Sequence, residues 1–158
     1  MVACAATTRG VTPPYFCRKG LSFNSEIYSD LVQDHYVPYF HSLFPPEEGK
    51  IYFQQDGAKA HTSAESEKVL KKLFGKNYII QNPPKSPDLN VLDYHTWDHM
   101  DQIVQKCTNI KTITDLKREL VNSYKNVNID EVKRAVESWP KRMEACLAAD
   151  GDRFEHTL

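Results

Sequence analysis

The chain has 158 residues, enough for one domain with a substantial core. Its 20 basic residues are matched by 21 acidic ones with no basic block, which argues against a stand-alone nucleic-acid-binding module with the usual positive footprint. No run approaches the roughly 20 apolar residues of a membrane span, no stretch reads as a secretory leader, and Cys4, Cys17, Cys107 and Cys146 lack the spacing of a zinc knuckle or redox motif and read as free thiols.

In chain order, Val2 to Thr8 is apolar or β-branched, Arg9-Gly10 turns, Pro14 to Cys17 follows, and Lys19-Gly20 turns again; the pattern predicts two antiparallel strands in a hairpin. Asn24 or Ser25 is a candidate cap for a helix. Its apolar face would be Ile27, Tyr28, Leu31, Val32, His35, Tyr36, Tyr39 and Phe40. Pro38 should kink that helix, Pro45-Pro46 should end it, and Glu47-Glu48-Gly49 reads as an exposed loop.

Ile51 to Gln55 reads as a strand that ends on Asp56 and is broken by Gly57. Thr62-Ser63-Ala64-Glu65 has capping-box spacing, so a helix is expected to about Phe74, with Val69, Leu70, Leu73 and Phe74 as its apolar stripe and Gly75 at its end. Tyr78 to Ile80 reads as a short strand, and Asn82 to Asn90, with three prolines, as irregular chain. From Leu92 a helix should run to about Cys107. Another should start at the Thr112–Asp115 box, with Leu116, Leu120 and Tyr124 on one face. The last should be capped by Asp130, interrupted by Pro140 and ended at Asp150-Gly151, with Val132, Val136, Trp139, Met143 and Leu147 buried.

Two stretches carry the chemistry. They are Gln54-Gln55-Asp56-Gly57-Ala58-Lys59-Ala60-His61-Thr62, and Ser86-Pro87-Asp88-Leu89-Asn90 continued by Asp93-Tyr94-His95. An Asp-Gly pair alone is a generic turn. In this order and spacing, however, the two stretches resemble the catalytic core of mariner-type transposases, members of the DDE/DDD class, over about Val2 to Phe154. The resemblance implies an α/β, ribonuclease-H-like (DDE transposase/integrase) fold over residues 1–107, with a C-terminal helical part over 108–158. It places the family's second and third metal-binding carboxylates on Asp56 and Asp93, 37 positions apart.

The same resemblance matches the two N-terminal strands to the family's second and third. The fold would then be incomplete, lacking the central first strand that carries the first catalytic aspartate. The strands at Val2–Thr8 and Ile51–Gln55 would each lose a neighbour. A gap, a direct antiparallel pairing or an intermolecular pairing is expected in place of a five-stranded sheet.

By resemblance, the complete enzyme cuts and joins DNA at transposon ends by hydrolysis and transesterification, using two Mg²⁺ (or Mn²⁺) ions held by carboxylates. With one carboxylate unmatched, weakened metal binding and negligible cleavage are expected of this chain alone. The implied partners are DNA, both transposon ends and target, and a homodimer, with no membrane; the implied compartment is the nucleus.

Lys59, His61, Lys85 and Asn90 are candidate phosphate contacts. Lys59 stands where the family often has proline, and so does Val91. A solvated loop lysine and a helix-start histidine bonded to backbone are the plainer readings of Lys59 and His61. His95 and His99 have a zinc-compatible spacing but no evident third ligand. Pro84-Lys85-Ser86-Pro87 fits a polyproline-ligand pattern that the transposase motif explains better. The rival to the enzyme reading is a non-catalytic DNA-binding or protein-interaction module derived from a transposable element, and a non-functional remnant is the third.

Overall fold

The computed structural model describes residues 1–18 and 20–158; the turn expected at Lys19 lies outside the described residues. The expected N-terminal hairpin forms as two short ladders. Strands β1 (Val2–Ala3) and β4 (Tyr15–Phe16) pair antiparallel, as do β2 (Ala6–Thr7) and β3 (Gly10–Val11). Cys4-Ala5 on one side and Thr12-Pro13-Pro14 on the other separate them. The break has a chemical cause: Pro13 and Pro14 have no N–H to donate. Thr12 compensates, its N–H donating to the Ala5 carbonyl at 2.8 Å and its hydroxyl accepting from the Ala5 N–H at 2.8 Å.

Helix α1 (Ser25–Leu31) is capped by Asn24, whose side chain accepts from the Ile27 N–H at 3.0 Å. The chain widens by one turn over Val32–Tyr36, where the Val37 N–H reaches back five residues to the Val32 carbonyl, and continues as α2 (Val37–Leu43). This is how the chain absorbs Pro38, whose missing N–H and bulky ring do not fit a regular turn. Strand β5 is Phe53–Gln55, shorter than the Ile51–Gln55 expected, and pairs in parallel with β6 (Ile79–Gln81).

Helix α3 (Ala64–Phe74) lies between them, and Gly75 ends it at φ +85°, a conformation glycine tolerates. Its cap is Ser63, which accepts from the Ser66 N–H; Thr62 instead bonds the Ala58 carbonyl. Residues 82–90 are irregular except for a turn at Pro84-Lys85 and a tight helical turn at Pro87–Leu89. A second widened turn, Leu92–Thr96, leads into α4 (Trp97–Gln105). Helix α5 (Ile113–Lys125) has the full Thr112/Asp115 capping box. Helix α6 (Ile129–Glu137) is capped by Asn128 rather than by the expected Asp130, which donates its own N–H to the cap. Helix α7 (Trp139–Ala148) starts afresh after Ser138, with Pro140 in its first turn.

The described residues fall into two compact units. One comprises Met1–Ala3 and Tyr15–Lys85. Helix α1 packs on α3 within it, and Tyr28, Leu31, Val32, Tyr36, Phe40, Phe53, Leu70 and Phe74 are buried. Phe53 stacks on Phe74 at 4.6 Å between ring centroids. His35, placed on this face by periodicity, is exposed. Among the described residues no ladder joins β5 to β1, so neither a five-stranded sheet nor the direct antiparallel pairing occurs.

The other unit comprises Cys4–Pro14 and Ser86–Leu158. Its core is Cys4, Val11, Met100, Val127 and Val132, ringed by Leu92, Trp97, Leu120, Tyr124 and Val136. Burial of Cys4 pushes its thiol up to about 12. Leu147, expected inside, is 72% exposed, because the packed face of α7 is the one that carries Trp139 and Arg142. No helix is long and apolar enough to cross a membrane among the described residues.

Candidate functional site

Asp56 follows directly on β5, where the strand leaves the ladder and enters the loop to α3. Its side chain is half exposed. Oδ1 accepts the Ala58 N–H at 3.0 Å and lies 2.6 Å from His61 Nδ1, and Oδ2 has no partner among the described residues. The loop is closed by the His61 and Thr62 N–H groups, which donate to the Ala58 carbonyl at 2.8 and 3.0 Å.

The His61 side chain is only 20% exposed. Its ring lies over Tyr28, 4.1 Å between centroids, and meets Phe23 edge-on at 6.3 Å. The Tyr28 hydroxyl donates to Gln55 Oε1, and Gln55 Nε2 donates to the His61 carbonyl at 3.2 Å. Burial, and then the charge of Asp56, raise the Tyr28 pKa, so this hydroxyl stays protonated and able to donate. Lys59, by contrast, is exposed at the tip of the loop. On the same unit Gln54 donates to Asn82, and the Asn82 N–H donates to the Gln55 carbonyl at 2.9 Å, which ties the start of the proline-rich segment to β5. Lys85 is exposed at φ +60°.

Asp93 belongs to the second unit, where it is exposed in the first turn of the widened segment Leu92–Thr96. Asn90 organises that turn. Its Oδ1 accepts the Leu92 N–H at 3.2 Å, and its carbonyl accepts the N–H groups of Asp93 and Tyr94 at 2.9 and 3.0 Å. Asn90 is thus a helix cap in the structure, beside its candidacy as a phosphate contact. One-turn widenings of this kind recur at functional sites.

Helix α7 braces the segment from behind. Trp139 Nε1 donates to the Leu89 carbonyl at 3.0 Å, and Arg142 Nε donates to the Asp88 carbonyl at 2.7 Å. The Arg142 guanidinium lies 4.1 Å from the Tyr94 ring centre and pairs with Glu155. Sequence reasoning missed Arg142, Tyr28 and Gln55 in these roles. No local pattern marks them, since Arg142 reaches 54 residues back along the chain and Tyr28 reaches 27 forward.

Among the described residues no group of three or more His, Cys, Asp or Glu side chains is arranged to hold a metal ion. His95 and His99 have parallel rings 6.2 Å apart, and Glu131 lies 3.9 Å from His99 Nδ1. An open carboxylate oxygen on Asp56 suits a hard divalent cation, and Mg²⁺ commonly takes one or two carboxylates and keeps several waters.

No protein-family profile matches the chain. The Tc1 transposable-element transposase of Caenorhabditis elegans is 27% identical over 103 residues, covering 63% of this chain and 35% of that protein. The chain therefore spans about a third of the length of the curated relative it matches. The catalytic domain of Mos1 transposase, solved with Raltegravir and Mg, superposes with a TM-score of 0.82 at 22% identity over 98% of this chain and 76% of that one. The Mos1 mariner paired end complex with Mn gives 0.83 at 21% identity, over 98% of this chain and 44% of that one. The ribonuclease-H-like fold expected from the sequence is therefore the fold of this chain, and the resemblance to mariner-type transposases is borne out.

Proposed function

We propose that this chain is part of the catalytic domain of a mariner-type transposase, with Asp56 and Asp93 as metal-holding carboxylates. The observation that carries the reading is the fold likeness over 98% of the chain, combined with motifs that put carboxylates at the two matching positions. Both side chains stand exposed, each at the start of a turn braced by its own unit: Asp56 by the loop to α3, Asp93 by Asn90 and the segment held by α7. Mos1 has been solved with Mn and with Mg, which supports divalent ions as the cofactors here. Bound cations would supply activation of a water or 3′-hydroxyl and stabilisation of the leaving oxygen.

The substrates in this reading are DNA, transposon ends and target, acted on in the nucleus by a homodimer. Lys59 and Lys85 are the exposed cations offered to phosphate. Within these residues two of the three family carboxylates find a match. The reading is therefore of metal binding, and negligible strand cleavage is expected from this chain alone.

The test is a Mn²⁺ titration of the 158-residue protein followed by electron paramagnetic resonance. Wild type should bind Mn²⁺ weakly, and Asp56→Asn and Asp93→Asn should each weaken binding at least tenfold with unchanged circular dichroism. Binding indifferent to both substitutions would remove the reading and leave a non-catalytic element-derived module as the better account.

A further inference from the structure

The family motif names Asp56 but does not say what holds its carboxylate still. We propose that His61 is a positioning residue for Asp56: it fixes Oδ1 so that Oδ2 is presented to a divalent cation. The inference rests on the functional reading above and assigns a new role within that site.

Four observations carry it. First, the contacts to Asp56 fall on one oxygen only: the Ala58 N–H at 3.0 Å and His61 Nδ1 at 2.6 Å both meet Oδ1. Second, His61 Nδ1 is enclosed and makes no aligned hydrogen bond among the described residues; the polar atom beside it is Asp56 Oδ1 at 2.6 Å, a contact of proximity that a small rotation of either side chain turns into a hydrogen bond. Third, the imidazole is fixed on both sides. Tyr28, 3% exposed, lies against it at a tilt of 30° with 4.1 Å between centroids, and Phe23 stands edge-on at 6.3 Å. Fourth, the His61 backbone is tied to the strand that precedes Asp56, since its carbonyl accepts from Gln55, which is itself held by the Tyr28 hydroxyl. The histidine is thus rigid while the carboxylate it touches is half exposed.

That division of labour is what a ligand carboxylate needs. An unrestrained aspartate samples several rotamers, and a cation must then order it on binding. Groups that hold a ligand in place typically matter by tenfold or more in metal affinity. With Nδ1 enclosed beside this carboxylate, a phosphate contact by His61 would have to use Nε2.

The experiment compares His61→Ala, His61→Asn and His61→Gln with wild type and Asp56→Asn, reading Mn²⁺ affinity by paramagnetic resonance and Asp56 side-chain rotamers by NMR couplings without metal. An asparagine amide can occupy the Nδ1 position, whereas a glutamine amide reaches the Nε2 position. His61→Ala and His61→Gln should weaken Mn²⁺ binding about tenfold and average the Asp56 χ1, and His61→Asn should restore both. Equal behaviour of the Asn and Gln variants, or an Asp56 rotamer unaffected by His61→Ala, overturns the proposal. If Asp56→Asn weakens Mn²⁺ binding and His61→Ala does not, only the positioning role falls. If Asp56→Asn has no effect, the functional reading falls first and this inference with it.

Discussion

Individual acidic side chains in this protein do different work according to their hydrogen bonds. Asp115 closes the capping box of α5: Oδ2 accepts the Thr112 hydroxyl at 2.8 Å and the Thr112 N–H at 2.9 Å, and Arg118 lies 3.0 Å from Oδ1. The Thr112 hydroxyl, first, and then the backbone N–H groups and Arg118 hold its pKa below the ordinary aspartate value. A carboxyl whose pKa is lower folded than unfolded stabilises the protein above its unfolded value, roughly 4, and that contribution is lost as pH falls through the folded value. Asp115→Asn should therefore unfold more easily than wild type near neutral pH. The difference should close progressively below about pH 4, read as Tm against pH. A gap that stayed constant to pH 2 would show that the charge is not involved.

Helix ends carry more of the architecture than helix middles. Ser63 caps α3, and its hydroxyl donates in turn to Ser66, which is fully buried and also donates to the Ala60 carbonyl at 2.6 Å. The cap therefore anchors the loop that contains Asp56 and His61 as well as starting a helix. Ser63→Ala should cost about 1 kcal/mol, measured by urea unfolding, and should raise amide exchange across residues 58–62 more than across α5. Exchange raised equally in both places would show a global effect. The widened turns at Val32–Tyr36 and Leu92–Thr96 have different causes. Pro38 accounts for the first, and nothing in the sequence forces the second, which carries Asp93.

The molecule is built as two units, each with its own core. Met100, 1% exposed, sits at the centre of the second, among Cys4, Val11, Val127 and Val132. Met100→Ala should cost about 2–5 kcal/mol, seen as a lower urea midpoint, whereas Leu147→Ala, at an exposed site, should change it by less than about 0.5 kcal/mol. Comparable losses at both positions would mean that the core is wrongly placed.

Local chemistry was enough for much of this. Asn24, Gly75, the Thr112/Asp115 box and Pro140 act within a few residues of themselves, so the helix limits they set were readable from the chain alone. The two motifs singled out Asp56 and Asp93 for the proposed role because their residue order is specific. Other features turned on a choice between near neighbours or on partners distant in sequence. Thr12 repairs a ladder that two prolines break, Ser63 and Asn128 win the caps from Thr62 and Asp130, and Leu147 turns outward while Arg142 turns in. The enclosure of His61 by Tyr28, Phe23 and Gln55 is of the same kind. Periodicity and capping preferences are short-range forces that a linear pattern records. Which side chain fills which space is a matter of packing, and packing exists only once the chain has folded.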